Sequence, residues 1–600
     1  MITRVRDSYR HNFAIIAFGP FLKIIEAVFD LMIPLIMKAV IDLNQYQRAQ
    51  DIPNIISSRF AYLIEALNAS GGSVGNAITG GVIILIMGIA GYVITMCAQY
   101  LAARASVNVG TEVRSSLFAK SLQLSKKERE EIGPSKLLTV INSDTYQLQH
   151  GVLLFVRLVV RAPFILIGSL IISFILDWRV GLAFLVIVPI ILLINFLVLS
   201  RSSKQYVSIQ EELDHLSNKT SETLEGARVV RASNQQENEN KEFQNITTSY
   251  QDKSIKVNKL NSLVNPLTFA ITSLVLVVIV LLLSGDLFSS LSDDYATTAS
   301  TIIAEMAYLS QIFFVVVQLS QTAVDLVKAN VSKKRIDSVL TIEPSIQSGN
   351  KSVKPEEPLI KFNHVSLSFD NSENYFLKDL DFEIRKGETF AIIGGTGSGK
   401  STIINLLERF YDVSDGEILY QGFNLKDYDL NVLRSDLGLV NQKSSLFKGT
   451  IKSNYLMSNP NASDQDIVEA LKQAEAYEFV SKYEDDINHE VKESASNFSG
   501  GQKQRLCIGR ALVRKPKVLI LDDATSALDL LTDKKIRETI SSLKDMTKII
   551  VSQRVATVQN ADYILVLDGG KVVGRGKHEE LLVNSPIYQE IYETQIKKEQ

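Results

Sequence analysis

Two acidic residues end an apolar run in Val518–Asp529, VLILDDATSALD: Val518–Leu521 predicts a buried strand, and Asp522 and Asp523 follow it. A strand ending in aspartate is common and means little alone. About 120 residues upstream, Gly394-Gly395-Thr396-Gly397-Ser398-Gly399-Lys400-Ser401 fits G-x-x-x-x-G-K-S. It runs from a predicted strand, Thr389–Gly395, into a predicted helix that begins Ser401-Thr402 and reaches Phe410. Glycines there let backbone N–H groups converge on phosphates, and a helix N-terminus favours anions. Lys400 then reaches the β and γ phosphates, and the Ser401 hydroxyl ligates Mg²⁺. Asp522 is placed to hold the same ion through water. A third piece, Ser499-Gly500-Gly501-Gln502, lies 23 residues before Asp522, just ahead of a predicted helix, KQRLCIGRALVRKP. Its small residues again expose N–H groups at a helix start. A fourth, Gln553, follows Asp523 by thirty residues.

The remainder of the chain must position these groups. At 600 residues it exceeds one domain, and 46% of it is hydrophobic. A formal net charge of −3 gives no general affinity for nucleic acid. Cys97 and Cys507 lie far apart, which excludes a disulfide framework and fits a reducing interior. The start, MITRVRDSYRH, is basic and polar and lacks the core of a signal peptide.

Apolar runs recur near 13–43, 77–101, 152–176, 180–200, 264–284 and 301–327, predicting six membrane helices in residues 1–327. A hydrocarbon core of ~30 Å needs about 20 such residues. The predicted outer loops 44–79, 177–179 and 285–300 hold only Arg48, Arg59 and Arg179, while Lys and Arg crowd the opposite side, which predicts both termini in the cytoplasm. Trp178 falls at an outer helix end. No glycine lies between Gly181 and Gly226, nor between Gly226 and Gly285, so the helices should run far beyond the bilayer. Small and polar residues at the end of loop 44–79 suggest a mobile cap. Residues 328–357 read as a linker, and 358–600 as a soluble domain.

Charged residues inside the membrane segments suggest a substrate cavity. Lys23, Glu26 and Asp30 share one face of the first helix; Gln311, Gln318, Gln321 and Asp325 stripe the last. Glu26, Asp30, Gln311 and Gln318 are the candidates for handling polar or cationic groups; the competing reading is an internal Lys–Glu pair and helix–helix hydrogen bonds. Arg157 and Arg161 fit snorkelling toward headgroups.

The order GGTGSGKS, VNQ, NFSGGQKQR, LILDDATSALD and the Gln553 region resembles the nucleotide-binding domain of ABC transporters. Six helices ahead of it resemble an ABC exporter half-transporter: an all-α transmembrane domain followed by an α/β P-loop domain. The resemblance implies ATP and Mg²⁺ as cofactors. It implies that Phe369 stacks on adenine, that Gln442 joins Ser401 and Asp522 around Mg²⁺, and that Glu493 lies where cytosolic helix ends dock. Ser499, Gly500, Gly501 and Gln502 would meet ATP held by the opposite subunit, and Asp529 would end a loop that communicates across the dimer.

Two departures matter. The family's usual glutamate after the magnesium aspartate is Asp523 here, and its usual histidine is Gln553. Phe498 also replaces a usual leucine. With Lys400 kept and both hydrolytic positions changed, the site should bind ATP but split it poorly, while SGGQ completes a partner's site. The resemblance is thus to the degenerate-site subunit of a heterodimeric bacterial multidrug exporter. It implies an ATP-hydrolysing translocase in the cell membrane, a non-identical partner carrying Glu and His, surrounding lipid, and small amphipathic substrates such as drugs, lipids or peptides. The alternatives are a homodimeric lipid or drug flippase and an ATP-gated channel or regulator.

Overall fold

The computed structural model describes residues 2–68, 71–289, 295–350, 359–369 and 375–599. The chain divides into two compact units, Met1–Gln123 with Ile132–Ile342, and Leu124–Glu131 with Glu343–Gln600. Pro358, where the soluble domain is expected to begin, lies outside the described residues.

The first unit is all helix. Its main elements are Phe13–Tyr46, Gly72–Gln123, Thr145–Leu154 continuing to Arg161–Leu176, Trp178–Glu225, Gln236–Ser262 continuing into Val264–Ser289, and Tyr295–Leu340. Five helical stretches among the described residues are long and apolar enough to cross a bilayer. Phe13–Tyr46 is not among them, because Lys23, Glu26, Asp30, Lys38 and Asp42 interrupt its apolar surface. Gly72–Gln123 has 52 residues and Trp178–Glu225 has 48, each over twice the length a hydrocarbon core requires. The latter stops where Gly226 supplies its C-cap.

Two π-helical turns, Val140–Asp144 and Phe155–Val159, interrupt the α-helical pairing of the third membrane segment. The first aims Asp144 inward, where it accepts from Ser332 Oγ at 2.7 Å and pairs with Arg335 at 2.7 Å. Loop 44–79 contains a helix that the sequence reading assigns no place, Ile55–Leu67. The Asn54 side chain caps it, and Ala61 and Ile64 pack on Ile36, Ala39 and Leu43 of the first membrane helix. Residues 69 and 70 of the stretch expected to form a mobile cap lie outside the described residues.

The second unit is α/β. Its strands are β1 (Ile360–Leu367), β2 (Leu377–Ile384), β3 (Thr389–Gly394), β4 (Asp415–Tyr420), β5 (Phe423–Asn424), β6 (Leu437–Val440), β7 (Gly449–Thr450), β8 (Glu490–Val491), β9 (Val518–Asp522), β10 (Thr547–Ser552), β11 (Tyr563–Asp568) and β12 (Lys571–Gly576). The main sheet has the order β12-β11-β3-β10-β9-β6; only β12 runs antiparallel, joined to β11 by the turn at Gly569-Gly570. A smaller antiparallel sheet, β2-β1-β4-β5, faces the same core, in which Phe362, Phe382 and Phe390 stack in series.

Strand order is what builds a site. β10 lies between β3 and β9, with Ser552 opposite Ile393 and Val551 opposite Asp522. The carboxyl ends of three adjacent parallel strands therefore deliver the glycine loop, the acidic pair and Gln553 to one crevice, where open α/β sheets bind their ligands.

Glu408, just past the helix Lys400–Leu407, is 7% exposed. Burial pushes its carboxyl up to about 7, against the pull of Arg434 and Arg514. A raised acid keeps in the native state a proton that the unfolded chain has released. Stability should therefore fall as pH rises from about 4.5 to about 7, by up to ~3 kcal/mol. Glu408→Gln should remove this slope: its melting temperature, matched to the parent's at pH 5, should exceed it by several degrees at pH 8. Parallel pH profiles for the two proteins would refute the assignment.

Candidate functional site

Gly394 to Lys400 form a tight loop between β3 and the helix Lys400–Leu407. Gly399 holds φ +102°, and a Cβ there would meet Leu377 at 2.4 Å, so the position demands glycine. At Gly394 a Cβ would strike the Leu567 carbonyl oxygen at 2.2 Å. The Lys400 ammonium donates to the carbonyls of Gly394 and Gly395 at 2.9 and 2.6 Å. Burial lowers its pKa, opposed by Asp522 and Asp523.

A cavity of about 250 Å³ opens here, lined by Thr396, Gly397, Gly399, Lys400, Ser401 and Thr402 on one side. Gln442, Asp522, Asp523 and Gln553 line the other. Ser401 Oγ donates to Asp522 Oδ1 at 3.3 Å, and Gln442 Nε2 to Asp523 Oδ2 at 3.5 Å. Burial raises the Asp522 pKa, and the like charge of Asp523 adds to it. A hydroxyl, a carboxylate and an amide that meet in this cavity are the hard oxygen donors that suit Mg²⁺. Ser401, Asp522 and Gln442 would hold that ion, which supplies positive charge against phosphate oxygens.

Asp523 adopts φ +48°, and its N–H donates to Val551 O at 2.8 Å. Aspartate enters this left-handed region more readily than most residues. Gln553 sits on an exposed turn after β10. The turn is clamped from the helix Pro586–Glu599: Gln595 Nε2 donates to Gln553 O at 2.6 Å, and Gln595 Oε1 accepts from Val555 N at 2.8 Å.

Phe369 is half-exposed and does not line the cavity; Phe376 does. Phe369 packs against Phe376 at 5.5 Å and edge-on against Tyr411 at 5.3 Å between ring centroids. Phe376 escaped the sequence reading, although an aromatic directly before β2 was the available signal. Tyr411 in turn donates to Glu130 Oε2 at 2.9 Å and lies under Lys126 at 5.6 Å. Lys126 Nζ also donates to Asn405 Oδ1 at 3.3 Å. Residues 124–131 thus fold with the second unit although their flanks belong to the first.

Ser499, Gly500, Gly501 and Gln502 lie outside this cavity. Ser499 caps the helix Gly500–Leu512 reciprocally with Gln502: its Oγ accepts from Gln502 N at 3.3 Å, and its N–H donates to Gln502 Oε1 at 2.9 Å. Gln504 Oε1 accepts from Ala527 N at 3.1 Å, tying this helix to the loop after Asp523. Asp529 caps the next helix through Thr532 N at 3.0 Å. Phe498 is buried among Phe479, Tyr483 and His489, an aromatic nest that accommodates it in place of leucine. Glu493 is exposed on the single turn Glu493–Ala495.

In the first unit, Glu26 is buried between Lys23, at 2.5 Å, and Arg161, at 3.5 Å. Asp30 also pairs with Arg161, and Gln311 Nε2 donates to the Asp30 carbonyl at 2.9 Å. Glu26, Asp30 and Gln311 therefore converge, with their charge balanced by two cations. Gln318 stands two turns further along the last helix.

A glycine-loop nucleotide fold behind a multi-pass helical membrane unit defines the class. Residues 16–316 match the ABC transporter transmembrane region, and residues 377–526 match the ABC transporter domain. An ABC transporter ATP-binding protein of Mycoplasma genitalium is 32% identical over 599 residues, 96% of this chain and 95% of the relative. An ATP-dependent lipid A-core flippase of Vibrio vulnificus is 30% identical over 515 residues, 86% of this chain and 87% of the relative. The solved structure of a bacterial Atm1-family ABC exporter with ATP bound superposes with a TM-score of 0.77 at 21% identity, covering 96% of this chain and 98% of that one. The chain belongs to the ABC transporters and has the ABC exporter fold.

Proposed function

We propose that this chain exports amphipathic substrates across the cell membrane, driven by ATP, as the weak-site half of a heterodimer. Its termini face the cytoplasm. The observation that carries the reading is one cavity lined by Lys400, Ser401, Asp522, Asp523 and Gln553; the reading assigns phosphate and Mg²⁺ to the first three and the attacking water to the last two.

Lys400, the loop N–H groups and the start of the helix Lys400–Leu407 bind the β and γ phosphates. Phe376 and Phe369 offer the aromatic surface for the base. Asp523 carries a carboxylate about 1.5 Å short of where a glutamate would place it, and Gln553 hydrogen-bonds without shuttling a proton. Hydrolysis here is slow, and Ser499 to Gln502 complete the site of a partner that carries glutamate and histidine. Glu26, Asp30 and Gln311, drawn together by the Arg161 pairing and the Gln311 hydrogen bond, are the groups this reading assigns to a polar or cationic part of the substrate.

A second reading, a homodimeric lipid flippase, draws support from the similarity to the lipid A-core flippase of Vibrio vulnificus. Purification separates the two. The heterodimer reading expects the chain alone to show little ATPase activity and to gain it, with transport in inside-out vesicles, when co-produced with a half-transporter bearing Glu and His. A stable homodimer with brisk, lipid-stimulated hydrolysis would refute it. Vesicle assays with a cationic dye, a fluorescent lipid and a peptide assign the substrate class.

A further inference from the structure

A second cavity, of about 340 Å³, lies behind the acidic pair. Its floor is the face of the main sheet opposite the aromatic stack, at Leu521 and Ile550, and its wall is the helix Leu530–Ser542, at Ile536 and Ile540. Pockets for small ligands run from about 300 to 1,000 Å³ and pair apolar walls with a few placed polar groups.

Two such groups are present. Strand alternation sends Lys548, Ile550 and Ser552 of β10 to the cavity side and Ile549 to the core. Lys548 lines the cavity and is 3% exposed as a residue; its ammonium keeps solvent contact there, and no described residue accepts a hydrogen bond from it. The facing acid, Asp562, is engaged with Thr389 N at 2.8 Å and does not reach ion-pair distance. Arg537 donates to Ala556 O at 2.6 Å and pairs with Asp533 at 3.0 Å, but its buried Nε also lacks an acceptor among the described residues. Lys534 and Glu538 pair with each other at 4.0 Å on the rim. Burying a donor without an acceptor, as at Arg537 Nε, is costly, and an anion supplied from outside relieves that cost while pairing with the Lys548 charge.

We propose that this cavity is an effector site for a small amphipathic carboxylate. The carboxylate takes hydrogen bonds from Lys548 and Arg537, and its hydrocarbon part lies on Leu521, Ile536, Ile540 and Ile550. Asp523, Val551 and Ser552 line both this cavity and the nucleotide cavity, so occupancy of one site bears on the other. The binding stands on the cavity alone; the coupling rests on the nucleotide reading above.

The test uses the full chain in nanodiscs, with 2-naphthoate as probe and calorimetry as readout, corrected against empty nanodiscs. Without nucleotide, 2-naphthoate should bind saturably, and uncharged 2-naphthamide at least tenfold more weakly. Lys548→Met, which keeps length and apolar bulk, should weaken 2-naphthoate at least tenfold with an unchanged or higher melting temperature. Equal affinity for acid and amide, or an unaltered affinity in the variant, overturns the site. The acid–amide comparison is made on the unaltered chain, so it stands even if the variant does not fold. Saturating MgATP should then shift the 2-naphthoate Kd at least threefold, and 2-naphthoate should shift MgATP affinity by the same factor. Equal affinities with and without MgATP overturn the coupling and leave the binding result intact.

Discussion

Replacing Asp523 by glutamate and Gln553 by histidine together raises hydrolysis at this chain's own site by about 10²-fold. The backbone of Asp523 is fixed by its N–H bond to Val551 O at 2.8 Å, so an added methylene extends the carboxylate into the cavity rather than moving the loop. The turn at residue 553 is likewise held from Gln595, so an imidazole would enter from a defined position. The measurement is single-turnover ATP cleavage in a heterodimer whose partner has its own catalytic glutamate changed to glutamine. The double variant should also unfold slightly earlier, since φ +48° suits aspartate better than glutamate. No gain in cleavage would mean that something other than these two side chains keeps the site slow.

Changing the SGGQ turn has the opposite signature. Gly501→Glu in this chain should cut ATPase activity of the assembled pair by ~10²-fold, because it places a carboxylate where N–H groups meet a nucleotide held by the partner. A Cβ at Gly501 meets Ala527 O at 3.3 Å and Leu528 at 3.4 Å, tight but bearable, so folding should survive. On the asymmetric reading, in which the partner's site carries the turnover, Asp523→Asn in the same chain should leave activity within about twofold. In a homodimer both substitutions would be equally damaging. That outcome would end the asymmetric reading.

The nucleotide site was legible in the sequence because its chemistry is mostly backbone. Glycine loops, a lysine at a helix start and an acid at a strand end are fixed by local geometry, so the meeting of Lys400, Ser401 and Asp522 in one cavity could be expected from spacing and strand order. Contacts made across the fold were not legible. Phe376 enters the cavity only because β2 lies beside β1, and Gln595 reaches residue 553 only because the last helix returns to the sheet. The membrane unit divides the same way. The Lys23–Glu26 pair follows from i, i+3 spacing, whereas Arg161 reaches Glu26 and Asp30 from another helix. The helix Ile55–Leu67 was hidden because, at 13 residues, it is too short to stand out as a membrane span, and its stability comes from packing.

The clamp from Gln595 ties the helix Pro586–Glu599 to the turn that carries Gln553. Its side-chain amide replaces one turn of backbone pairing, accepting from residue 555 and donating to residue 553 at once. Ile587, Ile591 and Tyr592 anchor the same helix beside Val555 and Val558. A purification tag or protease nick that frays this helix therefore loosens the turn that carries Gln553. Turnover numbers measured on differently tagged preparations should then differ even where their motifs are identical.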